Sequence, residues 1–207
     1  MTAPAGELDA LLSDIRVCRA CVDAPQGKPL PHAPRPVLRA STTARLAICG
    51  QAPGTRVHES GTPFTDPSGV RLRDWMGVTE EEFYDESRLA IVPMGFCFPG
   101  QNQKGGDLPP RCECAGLWHD KLFAALPQLE LVLAVGAYAQ AFHLGAARGK
   151  TLQETMLRWR EIFRAPRQPR ILPLPHPSWR NNAWLNKNPW FDAELLPVLR
   201  REVRRLL

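Results

Sequence analysis

The sequence has no long hydrophobic run, no internal repeat and no low-complexity tract. No window approaches the roughly 18 uninterrupted apolar residues that a membrane span needs, which excludes a transmembrane helix. Residues 1–18 lack the basic-then-apolar pattern of a secretory signal, so we expect a cytoplasmic protein. Charge of one sign is also not in large excess, because 26 Lys and Arg face 21 Asp and Glu, for a net charge of +5. That charge is compatible with a phosphate-bearing partner but does not identify one.

The composition is typical of one globular domain. A chain of 207 residues, of which 44% are hydrophobic and 23% charged, can bury a full core, which argues against disorder, collagen and a coiled coil. Proline is the unusual residue, since 21 prolines are roughly twice the average frequency of about 5%. We therefore expect important loops within a single domain that spans residues 1–207.

Strand-like and helix-like segments alternate along the chain. Compact apolar runs at 45–49, 89–93, 129–135 and 170–174 predict four buried strands, and helical periodicity is found near 7–17, 68–76, 115–126, 137–145, 151–163 and 191–207. This alternation predicts an α/β fold with three layers, α/β/α, around a central four-stranded, mainly parallel sheet. Residues 1–44 would add a helix, a cysteine pair and a connector packed on that domain.

Each predicted strand is followed by a loop of unusual composition: GQAPG at 50–54, MGFCFPG at 94–100, VGAY at 135–138 and HPSW at 176–179. Because ligands of open α/β sheets bind beyond the carboxyl ends of the strands, we expect these loops to form one cleft. Gly50 and Gly54 allow the backbone to turn sharply and approach a ligand, while Pro53 fixes the loop.

Three motifs resemble those of the uracil-DNA glycosylase superfamily: Gly50-Gln51-Ala52-Pro53 after the first strand, Gly61-Thr62-Pro63-Phe64, and His176-Pro177-Ser178 after the last strand. The resemblance spans nearly the whole chain and is closest to the iron-sulfur branch, although the GQAPG motif is divergent. It implies an enzyme that flips uracil out of DNA and hydrolyses its N-glycosidic bond, leaving an abasic site as the first step of base-excision repair. Its partner would be uracil-containing DNA, single- or double-stranded, and the enzyme a nucleoid-associated monomer.

The resemblance also implies roles for individual residues. His176 would stabilise charge on the base oxygen, a task that suits a histidine near neutral pH, and Phe64 would stack on uracil. The loop that begins at Trp179 alternates aromatic, cationic and amide groups, which suits wedging into a base stack and gripping phosphates. Further substrate contacts are expected from Gly50, Ala52, Gly95, Ser178, Arg180 and Asn181.

The group that activates water is not where other branches place it. Ala52 stands in the position of their Asp or Asn, so we expect His58, Glu59 or Asp66 to hold the water or stabilise the cationic sugar, with Asp66 and His58 as the first candidates. Gln51 replaces a Glu that is common in the iron-sulfur branch. Its neutral amide can bind the base or the water at the catalytic centre but cannot act as a general base.

Base specificity is less well determined than enzyme class. Pro93 stands where the iron-sulfur branch often offers an Asn to the uracil amide edge, so backbone groups in 94–100 or another amide would take over. Hypoxanthine or xanthine is therefore an alternative substrate. The missing carboxylate at Ala52 also permits a catalytically inactive, metal-stabilised nucleic-acid-binding module. No lysine lies in a motif that would suggest a lyase step, which favours a monofunctional enzyme.

Six cysteines in a cytoplasmic protein are not expected to form disulfides. Cys18 and Cys21 form a Cys-x2-Cys turn, and Cys97 with Cys114 would complete a four-thiolate site of the kind that a [4Fe–4S] cluster uses. The iron-sulfur glycosylases have this layout. Cys112 is the alternative fourth ligand, and Cys114 is favoured because it starts a predicted helix. Zinc on the same thiolates is the alternative to iron and sulfide.

Overall fold

The central sheet consists of four strands: β1 (Leu46–Cys49), β2 (Leu89–Ile91), β3 (Leu131–Val135) and β4 (Arg170–Leu174). The computed structural model, which describes residues 5–207, orders them β2-β1-β3-β4 with every neighbouring pair parallel. Ile48 lies opposite Ile91 on one side and Leu133 on the other, so the strand ends are aligned across the sheet. The predicted α/β fold with a four-stranded parallel sheet is confirmed.

Helices precede, connect and follow the strands. The six helical segments expected from periodicity are all present, but the one near 151–163 is divided at Arg158, and four short helices were not predicted. The helices are α1 (Ala5–Arg16), α2 (Ala20–Asp23), α3 (Thr55–Ser60), α4 (Pro67–Met76), α5 (Glu80–Tyr84), α6 (Asp120–Ala124), α7 (Gly136–Leu144), α8 (Leu152–Leu157), α9 (Trp159–Arg164), α10 (Asn182–Lys187) and α11 (Leu196–Leu206). A π-helical segment, Ala115–His119, leads into α6, and a second, Phe191–Leu195, leads into α11. No helix in residues 5–207 is long and apolar enough to cross a bilayer.

The two faces of the sheet differ in the size of their side chains. One face presents mostly small residues, such as Ala47, Ala90 and Ala134, and packs against α1, α6 and α7. The other presents large ones, such as Leu46 and Leu133, and packs against α4, α5, α8, α9 and α11. Because successive side chains of a strand point to opposite faces, this alternation places one apolar core on each side of the sheet.

The connector that precedes β1 is attached to the sheet edge. Arg39 and Ile91 exchange two backbone hydrogen bonds of 2.9 and 2.8 Å in an antiparallel bridge beside β2. Val37 N–H donates to the carbonyl of Phe96 at 2.8 Å, and Leu30 N–H donates to that of Cys21 at 3.0 Å. These bonds satisfy backbone groups of a proline-rich segment that has no regular structure of its own.

Candidate active site

A cavity lies beyond the carboxyl ends of the strands, where parallel α/β sheets bind their ligands. The structure brings the three sequence motifs together there, because segments that follow β1, β2 and β4 all line the cavity. Residues that line it are Val37, Gly50, Gln51, Ala52, Pro53, Gly54, Val57, Pro63, Phe64, Asp66, Ser68, Ile91, Pro93 and His176.

The loop after β1 is fixed by the loop after β2. Met94 N–H donates to the carbonyl of Gly50 at 3.0 Å, and Gly95 N–H donates to that of Gln51 at 2.9 Å. These two amide groups are therefore not free to bind a base, and Gly95 does not line the cavity. A Cβ on Gly95 would lie 3.0 Å from the Cβ of Pro110, so the glycine is needed for packing. The sequence predicted that Gly95 contacts the substrate. In the structure Gly95 packs against Pro110 and does not line the cavity.

Phe64 has a φ of 58°, the only positive φ of a non-glycine residue among residues 5–207. The ring lies on the first motif, because a Cβ on Gly50 would be 3.3 Å from Phe64 Cζ. Phe83 supports the ring edge-to-face at 5.9 Å, and Tyr84 donates its hydroxyl to the carbonyl of Pro63 at 2.8 Å. An unfavourable backbone conformation, held by its surroundings, directs this aromatic ring into the cavity.

His176 follows β4 and is half-buried at the cavity. Gly136, with a φ of 81°, lies behind it, and a Cβ there would be 3.3 Å from the Cβ of His176. Ser178 N–H donates to Nδ1 of the imidazole at 3.3 Å, and the Asn181 amide donates to the His176 carbonyl at 2.7 Å. Since Nδ1 accepts a hydrogen bond, the neutral ring carries its proton on Nε2.

Electrostatics favour that neutral ring. Burial lowers the pKa of His176 below its ordinary value, an effect that the carboxylates of Asp66 and Asp107 oppose and the guanidinium of Arg180 reinforces. Near pH 7 the imidazole is therefore an uncharged Nε2–H donor, which is suited to developing negative charge on a carbonyl oxygen.

Asp66 and Ser68 bring polar groups to the cavity from the start of α4. Asp66 is the N-cap of this helix, and its Oδ1 accepts the N–H of Gly69 at 3.1 Å. Ser68 is buried, lines the cavity and was not predicted from the sequence. Its position after Asp66-Pro67, in the first turn of a helix that starts at the site, is the signal that was available.

The cavity opens into a wider groove with several cationic side chains. Arg56, Arg71 and Arg180 line it, and Arg71 donates to the carbonyl of Ser178 at 3.3 Å. Trp179 is 73% exposed, with the guanidinium of Arg180 5.9 Å from its ring centroid. The groove thus holds the predicted residues Ser178, Arg180 and Asn181.

His58 lies elsewhere. It lines neither the cavity nor the groove, and its ring packs against His32 at 4.4 Å and Phe98 at 5.7 Å between centroids. Val57, one residue earlier in α3, faces the cavity, and a helix turns by about 100° per residue, which carries the next side chain away. The structure therefore does not bring His58 to the site, and Glu59 is exposed outside it.

Three of the four cysteines of the predicted ligand set, Cys21, Cys97 and Cys114, lie close together. The thiols of Cys21 and Cys114 are close enough to interact, which lowers the pKa of Cys21 to about 7 and raises that of Cys114. Cys97 packs against Cys21, and burial raises its pKa to about 12, with a smaller contribution from repulsion by Cys21 and Cys18. Within residues 5–207, however, no three His, Cys, Asp or Glu side chains are placed so that they could hold a metal ion.

The two candidates for the fourth thiol differ in direction. Cys114 is buried and its Sγ accepts the N–H of Phe96 at 3.5 Å. Cys112 is exposed and its thiol donates to Gln26 Oε1 at 3.2 Å. All six cysteines are free, so no disulfide joins these segments in the described chain.

The arrangement matches a known family. Residues 39–200 match the model of the uracil DNA glycosylase superfamily, a range that includes all four strands and all three motifs. The matched range begins in the connector, after the first cysteine pair. A superfamily of this kind indicates hydrolysis of an N-glycosyl bond in DNA. With most of its length matched, the chain belongs to the uracil DNA glycosylase superfamily.

Proposed function

We propose that the protein is a monofunctional uracil-DNA glycosylase, which everts uracil from DNA and hydrolyses the bond between its N1 and the sugar. The convergence of Phe64, His176 and the loop at 50–54 on one cavity supports this proposal best. A duplex hides the reacting atom of its base, so an enzyme of this class needs a cavity with an aromatic wall and a hydrogen-bond donor.

His176 would stabilise the departing base. Breaking the C1′–N1 bond leaves the electron pair on the base, and much of the charge is carried by a carbonyl oxygen. The Nε2–H of a neutral, half-buried imidazole can donate to that oxygen without the desolvation cost of a cation. One such donor contributes about a hundredfold to a thousandfold in rate in other enzymes.

Positive charge on the sugar would be met by carboxylate. Asp66 lines both the cavity and the groove, so it lies at their junction, where the sugar of an everted nucleotide would pass. Its Oδ1 is occupied by the N–H of Gly69, which holds the side chain in place. The other oxygen can face a water molecule or the cationic sugar.

Selectivity for the base would not come from the backbone amides at the start of the loop after β2. Pro93 lines the cavity without an N–H, and those of Met94 and Gly95 are already bonded. The amide of Gln51 and the hydroxyl of Ser68 remain as polar groups of the cavity that can read the edge of a base. Hypoxanthine and xanthine present a different edge and are the alternative substrates.

A [4Fe–4S] cluster held by Cys18, Cys21, Cys97 and Cys114 is part of this proposal and would place the chain in the iron-sulfur branch. Support comes from the proximity of Cys21 to Cys97 and Cys114 and from the outward direction of Cys112. The four thiolates of such a cluster bind four different iron atoms, so they do not need the close spacing around a single ion that is absent from residues 5–207. When bound, the cluster would supply a cross-link between the N-terminal turn and the loop after β2. Zinc on the same thiolates is the alternative.

A panel of oligonucleotides tests the proposed reaction. Each carries a single uracil, hypoxanthine, xanthine or mispaired thymine, in single- and double-stranded form, and the released base is measured at enzyme excess. We expect release of uracil and its loss in His176→Ala. Release of only another base would identify a different glycosylase, and binding without an abasic product would identify an inactive nucleic-acid-binding module.

A further inference from the structure

Asp107 brings a carboxylate to the groove from a loop outside all three motifs. It belongs to a hairpin closed by the antiparallel bridge between Gln101 and Asp107, in which Asn102 N–H donates to the carbonyl of Gly106 at 2.8 Å. The side chain is exposed in the free protein and lines the same groove as His176, Gly54 and Asp66.

The carboxylate lies over the end of the loop after β1. A Cβ on Gly54 would be 3.3 Å from Asp107 Oδ2, so the absence of a side chain at Gly54 leaves room for this oxygen. Gln101 Nε2 donates to Asp107 Oδ1 at 3.3 Å and to the Thr55 hydroxyl at 3.3 Å, which ties the hairpin to the start of α3. Oδ2 accepts no hydrogen bond from the described residues, so it is free for a ligand.

The charge of Asp107 is unexpected in a groove of this kind. Arg56, Arg71 and Arg180 suit a phosphate backbone, whereas a carboxylate repels it and weakens binding. The carboxylate also lies close enough to His176 to oppose the effect of burial on its pKa. A negative group at this position is favourable to positive charge that develops nearby, as it does on the sugar during bond cleavage.

We propose that Asp107 is a catalytic residue whose free oxygen holds the attacking water, accepts its proton and, together with Asp66, stabilises the cationic sugar, a role that Ala52 cannot fill. The water oxygen bonds to C1′, and the C1′–N1 electron pair leaves with the base. One water proton passes to Asp107 Oδ2 and then to solvent, and the departing base takes up a proton from solvent. This inference rests on the proposed glycosylase function.

The test compares Asp107→Asn with wild type in single-turnover base release and in affinity for uracil-containing DNA. We expect the rate to fall about a hundredfold, which is the lower range for general-base groups. Affinity should stay equal or increase, because a charge that repels phosphate has been removed. Asp14→Asn, on the exposed face of α1, is the control for the same change of charge. Formate should restore part of the rate to Asp107→Ala, since it can occupy the space of the lost carboxylate.

Two results would overturn this inference. One is a rate for Asp107→Asn within about threefold of wild type, while His176→Ala loses activity; the proposed function would then stand without Asp107. The other is a fall in rate matched by an equal fall in DNA affinity or melting temperature, with no effect of formate, which would make the residue structural. Failure of the wild type to release any base would remove the proposed function and this inference together.

Discussion

The cavity beyond the strand ends and the cysteine region, which contains Cys18, Cys21, Cys97 and Cys114, are assembled in different ways. Loops that follow neighbouring parallel strands build the cavity, and direct backbone bonds such as Met94 to Gly50 hold its shape. The cysteine region joins α2, the loop after β2 and the segment before α6. Cys114 belongs to the core on one face of the sheet, whereas Cys21 and Cys97 form a separate small cluster with Leu30. The cavity is therefore built on aligned strand ends, whereas the cysteine region also depends on contacts among side chains away from the sheet.

The largest effect is expected from Cys114→Ser, with Cys112→Ser as the matched control. In the proposed cluster site, loss of one of the four thiolate ligands should release the metal and lower the stability, because structural metal sites contribute on the order of 10 kcal/mol. Iron, sulfide and zinc per chain, absorbance at about 400 nm and thermal unfolding are the measurements. Iron retained in Cys114→Ser, or lost equally in Cys112→Ser, would contradict the proposed ligand set.

His176→Ala should come next and should affect the cavity alone. Removing the Nε2–H donor is expected to lower single-turnover release about a hundredfold to a thousandfold, with thermal unfolding and metal content close to wild type. His58→Gln is the control, because that ring packs against His32 and Phe98 outside the cavity. Equal loss of activity in both variants would contradict the assignment of His176 to the cavity and of His58 to a position outside it.

Two substitutions of Phe64 separate the contribution of its ring to activity from the cost of its backbone conformation in stability. Phe64→Ala should lower kcat/KM about fivefold to a hundredfold, since stacking of a base on an aromatic side chain contributes about 1–3 kcal/mol. Phe64→Gly should lower kcat/KM to the same extent but should be more stable than Phe64→Ala by about 1 kcal/mol, because glycine adopts a positive φ without strain. Urea unfolding measures the difference, and a less stable glycine variant would refute the role of strain.

The smallest effect at neutral pH is expected from titration of His176. Burial lowers its pKa below the ordinary value of a histidine, so the ring is neutral at pH 7. Protonation removes the acceptor for Ser178 N–H, so kcat/KM should fall as the pH falls through this lowered pKa. A profile that rises toward acid would show that the charged ring is the active form. In Asp107→Asn the acid limb of the profile should move to lower pH, because the carboxylate that raises the pKa of His176 has been removed.

The contrast between the two regions also explains what the sequence could predict. The four strands and their carboxyl ends follow from the apolar runs and the loops after them, because parallel strands align these ends. The approach of Phe64 to His176 was implied by the resemblance of their motifs, and the order of the strands was not predicted. His58 is close to Phe64 in the chain, but the rotation of α3 turns it away. Asp107 and Ser68 reach the site through a hairpin and a helix start that carry no strong pattern.

Sequence patterns gave little information on the direction of single residues outside the sheet, and Cys114 was favoured over Cys112 only because a predicted helix begins there. Cys112 and Cys114 are two positions apart, and only the fold shows that one thiol is exposed and the other buried. Gly95 appeared to be a ligand-binding glycine because it follows a strand. Its N–H and its close approach to Pro110 depend on the pairing of two loops, which no local pattern indicates.

A crystal structure with DNA that carries a non-hydrolysable 2′-fluoro-2′-deoxyuridine tests the central claim most directly. We predict a uracil ring outside the helix, stacked on Phe64, with a carbonyl oxygen within hydrogen-bond distance of His176 Nε2. A uracil that remains paired in the duplex, or one bound away from these two side chains, would contradict the account.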